Sequence, residues 1–163
     1  MTMKKVLIGL FIVAAFCGCL KNETNSFSCN YDECGTVAPS TEIDSLKKYL
    51  ATHAIVATQH CSGAFFSVDD EGSGAAPSAC SNIAFTYEGR LLNGNVFDSS
   101  LTNPVVGPVS SLITGVKLGA LKIRTGGRIH MYIPPSLGYG STANPKVPAN
   151  SYLVFDMKIL AVQ

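Results

Sequence analysis

Asn93-Gly94 constrains the fold of this chain more than any other pair of residues in it. Both residues tolerate the positive φ that a type I′ turn demands, and the pair separates two runs of β-forming residues. The first, Ile83 to Leu92, places Ile83, Phe85 and Tyr87 at every second position and therefore on one face of a strand. The second begins at Val96 and Phe97. A tight antiparallel hairpin is predicted, and its returning strand carries an aromatic ring and a carboxylate in succession, Phe97 then Asp98, followed by two serines. Such a pair, meeting in a partly apolar pocket, suits a site that grips a small apolar group and bends the bond beside it.

The remaining elements follow from periodicity and punctuation. Thr41-x-x-Asp44 resembles a capping box, and Ile43, Leu46 and Leu50 recur at helical spacing, so a helix is predicted from about Thr41 to Thr52. Phe65 to Val68 reads as a short strand, and Asp69 to Ala79 as a loop rich in Gly, Ser and Ala. Ser110 to Lys122 carries Leu112, Ile113, Val116, Leu118 and Leu121 in a helical pattern interrupted by Gly115 and Gly119. Two glycines in so short a helix cost on the order of 1 kcal/mol each, which points to close packing against a sheet. Ile129 to Ile133 alternates into a strand stopped by Pro134-Pro135, and Tyr152 to Val162 forms the last strand with Leu153, Phe155, Met157 and Ile159 on one face. Between these lies Ser136 to Ser151, a long loop whose Pro, Gly and apolar content favours an ordered lip over a pocket. No internal repeat is visible.

At the N-terminus Lys4 and Lys5 precede an uncharged apolar run from Val6 to Phe16, too short for a membrane-spanning helix and correctly flanked for an export signal. The run ends in Phe16-Cys17-Gly18-Cys19, which resembles a bacterial lipobox; Gly18 supplies the small residue before the lipidated position, so Cys19 is favoured over Cys17. A plain secretory signal is the alternative. Residues 20 to 40 are polar and broken by Gly35 and Pro39, and read as a tether. Asn22-Glu23-Thr24 matches a glycosylation sequon of little weight in a bacterial lipoprotein. An export signal leads to a disulfide-permissive compartment, where Cys29, Cys34, Cys61 and Cys80 allow three pairings. Cys29 with Cys34, and Cys61 with Cys80, closes the shorter loops and is the expected pattern, although sequence alone does not choose. A redox or zinc site built from His53, His60 and Cys61 is the distant alternative, because no Cys-x-x-Cys spacing is present. The formal net charge is +1, without a basic run or interleaved aromatics, so nucleic acid is not an expected partner.

Taken in order, Thr86-Tyr87-Glu88-Gly89, Asn93-Gly94, Val96-Phe97-Asp98-Ser99-Ser100, Leu112-Ile113-Thr114-Gly115, Gly126-Gly127, Ile133-Pro134-Pro135, Leu137-Gly138-Tyr139-Gly140, Val147-Pro148-Ala149-Asn150-Ser151 and Leu153-Val154-Phe155-Asp156 resemble the FKBP-type peptidyl-prolyl isomerases, the immunophilins. The match runs from about Ser81 to Val162, and the residues before 60 look like the N-terminal region of bacterial lipoprotein members. The resemblance implies an α+β fold: a curved antiparallel sheet, a half-barrel, wrapped around one short α-helix, with an N-terminal helical extension. It implies that Tyr87, Phe97 and Phe155 line a prolyl pocket with Asp98 at its rim, that Leu112 and Ile113 stand at the helix start above Val116, and that Tyr139 and Val147 come from the long loop. Asp98 and Tyr139 are then the catalytic candidates, with Tyr139 and the Ile113 N–H donating to the substrate carbonyl.

The implied function is cis–trans isomerisation of X-Pro bonds in exported polypeptides, with a role in assisting folding and no cofactor. The alternative is a weakly catalytic or inactive binding module, a holdase for proline-containing or apolar segments. Departures from the family pattern favour reduced activity and weak macrolide binding. Val116 stands where a tryptophan floor is usual, and the chain has no Trp. Val105 replaces an aromatic, the basic residue often found near Asp98 is missing from Leu101-Thr102-Asn103, and Lys146 replaces an aliphatic. The expected organisation is a signal peptide over residues 1–18, a lipid-anchored tether over 19–40, a helix and strand extension over 41–80 and the isomerase domain over 81–163. A monomer held at a membrane surface of the bacterial cell envelope is the expected state.

Overall fold

The computed structural model describes Cys29 and residues 31–163. The apolar N-terminal run, Cys17, Cys19 and the 22–24 sequon lie outside the described residues. From Ser40 the chain runs through α1 (Ser40–Thr52), β1 (Thr58–Gln59), β2 (Phe65–Asp70), β3 (Asn82–Leu91), β4 (Val96–Ser99), β5 (Val105–Pro108), α2 (Thr114–Ala120), β6 (Arg128–Ile133) and β7 (Leu153–Val162). Its strands form one antiparallel sheet in the order β1-β2-β6-β7-β3-β4, with β5 pairing β3 beside β4. This is the α+β half-barrel expected from the sequence.

Alternation along the central strands gives the sheet two apolar faces. On the face toward α2, Phe66, Ile129, Met131, Ile133, Leu153, Phe155, Met157 and Ile159 are all buried. On the opposite face, Phe65 and Tyr132 pack under Leu46 and Leu50 of α1. Strands β1 and β2 join the same sheet as the rest, since β1 pairs with β2 and β2 pairs with β6 from Phe65↔Tyr132 to Asp70↔Arg128.

The glycines of α2 explain how so short a helix sits so close. A Cβ on Gly115 would lie 2.4 Å from Ile133 Cγ2, and one on Gly119 would lie 2.2 Å from Met131 Sδ. Ile133 and Met131 are two residues apart on one face of β6, so the i, i+4 glycine pair lays a bare stripe of helix along that strand. Helix propensity is sacrificed for proximity.

Several local expectations are corrected. Helix α1 starts one residue earlier than predicted, with Pro39 at its N-cap, no side-chain cap and Thr41 inside the first turn. A fixed φ near the helical value lets the Pro39-Ser40 start stand without the capping box. The hairpin turn is not type I′: Gly94 has φ +87°, whereas Asn93 is not among the positive-φ residues. Gly94 N–H donates to Leu91 O, Leu91 N–H donates to Asn95 O, and the Asn93 side-chain oxygen accepts from Asn95 N–H. This is a three-residue loop that needs left-handed backbone only at its glycine. Strand β2 extends to Asp70, into the segment expected as loop, and β1 and β5 are too short to leave a periodic signal.

The disulfides also differ from expectation. Cys29 is bonded to Cys80 and Cys34 to Cys61, closing the longer loops of 51 and 27 residues. Loop-closure cost grows only logarithmically with length, so short loops carry little advantage once the fold sets which thiols meet. The two bonds pin the segment read as a tether onto the body from Cys29 onward, where Ala38 is buried and Glu33 pairs with Lys122 and His60. His53 and Cys61 do not converge on a metal site with His60. Cys61 is spent on Cys34, His53 lies against the Tyr49 ring, and the His60 ring contacts Glu33 and Ser62. Among the described residues no group of three metal-ligating side chains could hold an ion, and no helix is long and apolar enough to cross a membrane.

Candidate functional site

Between the start of α2 and the concave face of the sheet lies a cavity of about 330 Å³. Strand β3 contributes Phe85 and Tyr87, which share a face because they are two residues apart; β7 contributes Phe155 and β4 contributes Asp98. The turn into α2 supplies Ser111, Leu112 and Ile113, and the helix supplies Val116. Val105 and Tyr139 complete the wall. The volume falls in the range of small-molecule sites and exceeds what one pyrrolidine ring fills, as a valine floor would give.

The aromatic wall is ordered by edge contacts. Phe155 lies edge-on to Phe97 at 5.5 Å between centroids, and Phe97 lies edge-on to Tyr139 at 6.4 Å. Tyr87 joins Phe85 to the Phe155 end of this row, 5.7 Å from Phe85 and 6.0 Å from Phe155. Gly89 makes this stacking possible: a Cβ there would sit 2.6 Å from Phe97 Cζ and 3.0 Å from Phe155 Cε1.

One carboxylate stands among these rings. The Tyr87 hydroxyl donates to Asp98 Oδ2 at 2.7 Å, Ser99 N–H donates to Oδ1 at 3.1 Å, and Lys146 Nζ lies 3.6 Å from Oδ1. The Tyr87 hydrogen bond, with Lys146 and the Ser99 N–H, holds the Asp98 carboxyl below its ordinary pKa in spite of its partial burial. Burial first, and then the hydrogen bond to Asp98, pushes the Tyr87 phenol up to about 12. Burial and the Asp98 charge raise Tyr139 as well. At neutral pH the site thus holds an ionised carboxylate and two neutral phenols, one donating to that carboxylate and the other 38% exposed at the mouth.

Of the residues singled out from the sequence, Tyr87, Asp98, Leu112, Ile113, Val116, Tyr139 and Phe155 line the cavity. Phe97 and Val147 do not. Phe97 packs edge-on against Phe155 and Tyr139 of the wall, and Val147 is a buried anchor of the long loop. Three wall residues were not proposed. Phe85 is legible from its period-two spacing to Tyr87; Val105, in a four-residue strand, is marked only by the family aromatic it replaces, and Ser111, in a single 3₁₀ turn, leaves no pattern.

The long loop is ordered by its own backbone. Gly140 N–H donates to Pro135 O and Asn150 N–H donates to Gly140 O, while Leu137 and Val147 are buried. These bonds hold Tyr139 over the cavity.

A family profile described as FKBP-type peptidyl-prolyl cis-trans isomerase matches residues 74–160. An Escherichia coli (strain K12) protein named FKBP-type peptidyl-prolyl cis-trans isomerase FkpA is 37% identical over 103 residues, covering 62% of this chain and 38% of the relative. A Neisseria meningitidis protein named probable FKBP-type peptidyl-prolyl cis-trans isomerase FkpA is 36% identical over 120 residues, 72% of this chain and 43% of that one. The chain thus aligns with less than half the length of these relatives. Among solved structures, FkpA from E. coli superimposes with a TM-score of 0.68 at 32% identity, over 76% of this chain and 60% of that one. AtFKBP13 superimposes with a TM-score of 0.60 at 30% identity, over 66% of this chain and 99% of that one.

Proposed function

Because the chain belongs to the FKBP-type peptidyl-prolyl cis-trans isomerase family, we propose that it accelerates rotation about X-Pro bonds in exported polypeptides, and that the cavity walled by Phe85, Tyr87 and Phe155 is where the prolyl ring is held. The observation that carries this reading is an aromatic hollow with an ionised, hydrogen-bonded carboxylate on one side and a phenol at its mouth.

The chemistry asks for no cofactor and no broken covalent bond. The barrier of about 18 to 20 kcal/mol comes from amide resonance that is lost in the twisted state. The planar amide is the more polar form, so an apolar wall that strips water from the carbonyl and nitrogen favours the twisted one. Only binding that improves in the twisted state speeds the step. Tyr139 donates its hydroxyl hydrogen to the substrate carbonyl, and the Ile113 N–H at the start of α2 donates likewise. Asp98 acts through its charge and by fixing Tyr87, since no proton is transferred in the reaction.

Val116 at the cavity floor supports a second reading, a binding module that captures proline-containing or apolar segments without lowering the barrier, because a smaller floor grips the ring less tightly. Exchange NMR separates the two: peptide binding without faster cis–trans exchange favours capture alone. A proline-limited refolding assay with Tyr139→Phe and Asp98→Ala tests the enzyme reading, and no acceleration by the parent protein refutes it.

The export signal, lipidation at Cys19, the membrane-held monomeric state and the division into tether, extension and isomerase domain belong to the same proposal. The two disulfides support an oxidising compartment. Labelled palmitate failing to enter the protein would remove the lipid anchor.

A further inference from the structure

Lys146 stands across the cavity mouth from the sheet, on the loop between β6 and β7, and its place there is built rather than incidental. Asn144 Oδ1 accepts the N–H groups of both Lys146 (2.9 Å) and Val147 (2.8 Å), and Asn144 N–H donates to Val147 O at 2.9 Å. Pro145 and Lys146 are therefore the two central residues of a closed turn. Val147, 2% exposed, plugs that turn into the core and aims the lysine at the rim. There Nζ lies 3.6 Å from Asp98 Oδ1, the one cation paired with this carboxylate among the described residues.

The two ends of this ion pair are not equivalent. Asp98 is tied inward, to the Tyr87 hydroxyl and to Ser99 N–H, and its side chain is 44% exposed. The lysine side chain is 66% exposed, and an ammonium carries three donors, of which at most one faces Asp98 in this ion pair. The dipole across the mouth thus has its negative end fixed against the aromatic wall and its positive end turned outward with donors to spare.

Resting on the prolyl reading of the cavity, we infer that Lys146 is a specificity-determining residue: it biases the site toward peptides with a carboxylate on the residue immediately before the proline, and against those with a cation there. With the ring in the hollow, the side chain of that residue leaves across the rim. A carboxylate meets the free donors of the ammonium, and a cation must approach Asp98 past the charge already paired with it. Exposed ion pairs are worth little, so the bias is modest, about threefold to fivefold in kcat/KM at low ionic strength. Salt at about 0.5 M shortens the screening length and erodes it.

The test uses tetrapeptides that differ only in Glu, Gln or Lys before proline, with kcat/KM measured by exchange NMR and affinity by NMR titration on the same samples. The parent is expected to rank Glu over Gln over Lys. Lys146→Met collapses the Glu-to-Lys ratio toward one, Lys146→Glu inverts it, and Lys146→Arg retains it; unchanged thermal midpoints show that the variants are folded. A parent ratio of one, or a ratio that survives Lys146→Met, overturns the inference. If the parent binds all three peptides and turns over none, the isomerase reading fails while the affinity ratio still decides the role of Lys146.

Discussion

Removing one hydroxyl, in Tyr87→Phe, isolates the polar contact on which the site's electrostatics rest. The ring stays, and with it the contacts to Phe85 and Phe155, so no cavity term enters. What goes is a 2.7 Å bond to an ionised carboxylate. Hydrogen bonds to charged groups contribute roughly 1.5 to 3 kcal/mol when shielded. Asp98 is 44% exposed and retains Ser99 N–H and Lys146, so water replaces part of the loss and about 1 kcal/mol is expected at neutral pH. For a domain of this size that lowers the thermal midpoint by about 3 °C. The loss depends on pH in a defined direction. Asp98 has a folded-state pKa below its unfolded value of about 3.9, so its share of stability is complete above about pH 4 and disappears as pH falls through the lower, folded value. Tyr87 has a folded-state pKa raised to about 12, so its share is complete below about pH 10 and lost as pH rises toward 12. Denaturant unfolding of parent and variant across pH 2 to 8 reads the acid limb. The two curves should converge at the acid end and separate above about pH 4. A gap of equal size at every pH would mean that the hydroxyl contributes packing rather than a bond to a carboxylate, and would refute the reasoning.

Other expectations follow from the packing. Gly115→Ala gains helix propensity but forces a Cβ against the β-branched Ile133, which cannot rotate away, and should destabilise by about 1 to 2 kcal/mol in denaturant unfolding. Gly119→Ala meets the flexible Met131 instead and should cost less. Phe155→Ala removes a ring that is both core and cavity wall, and should lower stability by about 3 to 5 kcal/mol and abolish peptide binding seen by NMR. Non-reducing peptide mapping should recover Cys29–Cys80 and Cys34–Cys61 fragments, and loss of either bond should cost roughly 3 to 4 kcal/mol by loop-entropy reasoning.

Long, strongly periodic segments announced themselves in the sequence. Strand β7, with its buried residues at every second position, and helix α1, with Leu46 and Leu50 one turn apart, needed only local pattern. The glycines of α2 foretold close packing, though not that Ile133 and Met131 would be the neighbours. Features decided by the meeting of distant segments stayed hidden. The disulfide pairing depends on where the 29–38 segment lies against the body, and no count of loop length reveals that. The ion pair between Asp98 and Lys146 joins residues 48 positions apart, on β4 and on a loop stabilised by an Asn144 side chain. Phe97 is expected at the pocket wall both from its place beside Asp98 and from the family resemblance. The β3–β4 register slips from Gly89↔Asp98 to Arg90↔Val96, so Phe97 falls at a bulge, and its ring packs over Gly89 and edge-on to Phe155 and Tyr139 instead of alternating away from Asp98.

The most direct test of the central claim is cis–trans exchange in a Leu-Pro tetrapeptide, followed by NMR with and without catalytic amounts of the purified protein. The account predicts faster exchange, slowed several-fold by Tyr139→Phe, with shifts on titration confined to residues around the Tyr87, Phe155 and Tyr139 hollow. Exchange at the uncatalysed rate, or shifts that fall elsewhere on the molecule, would contradict it.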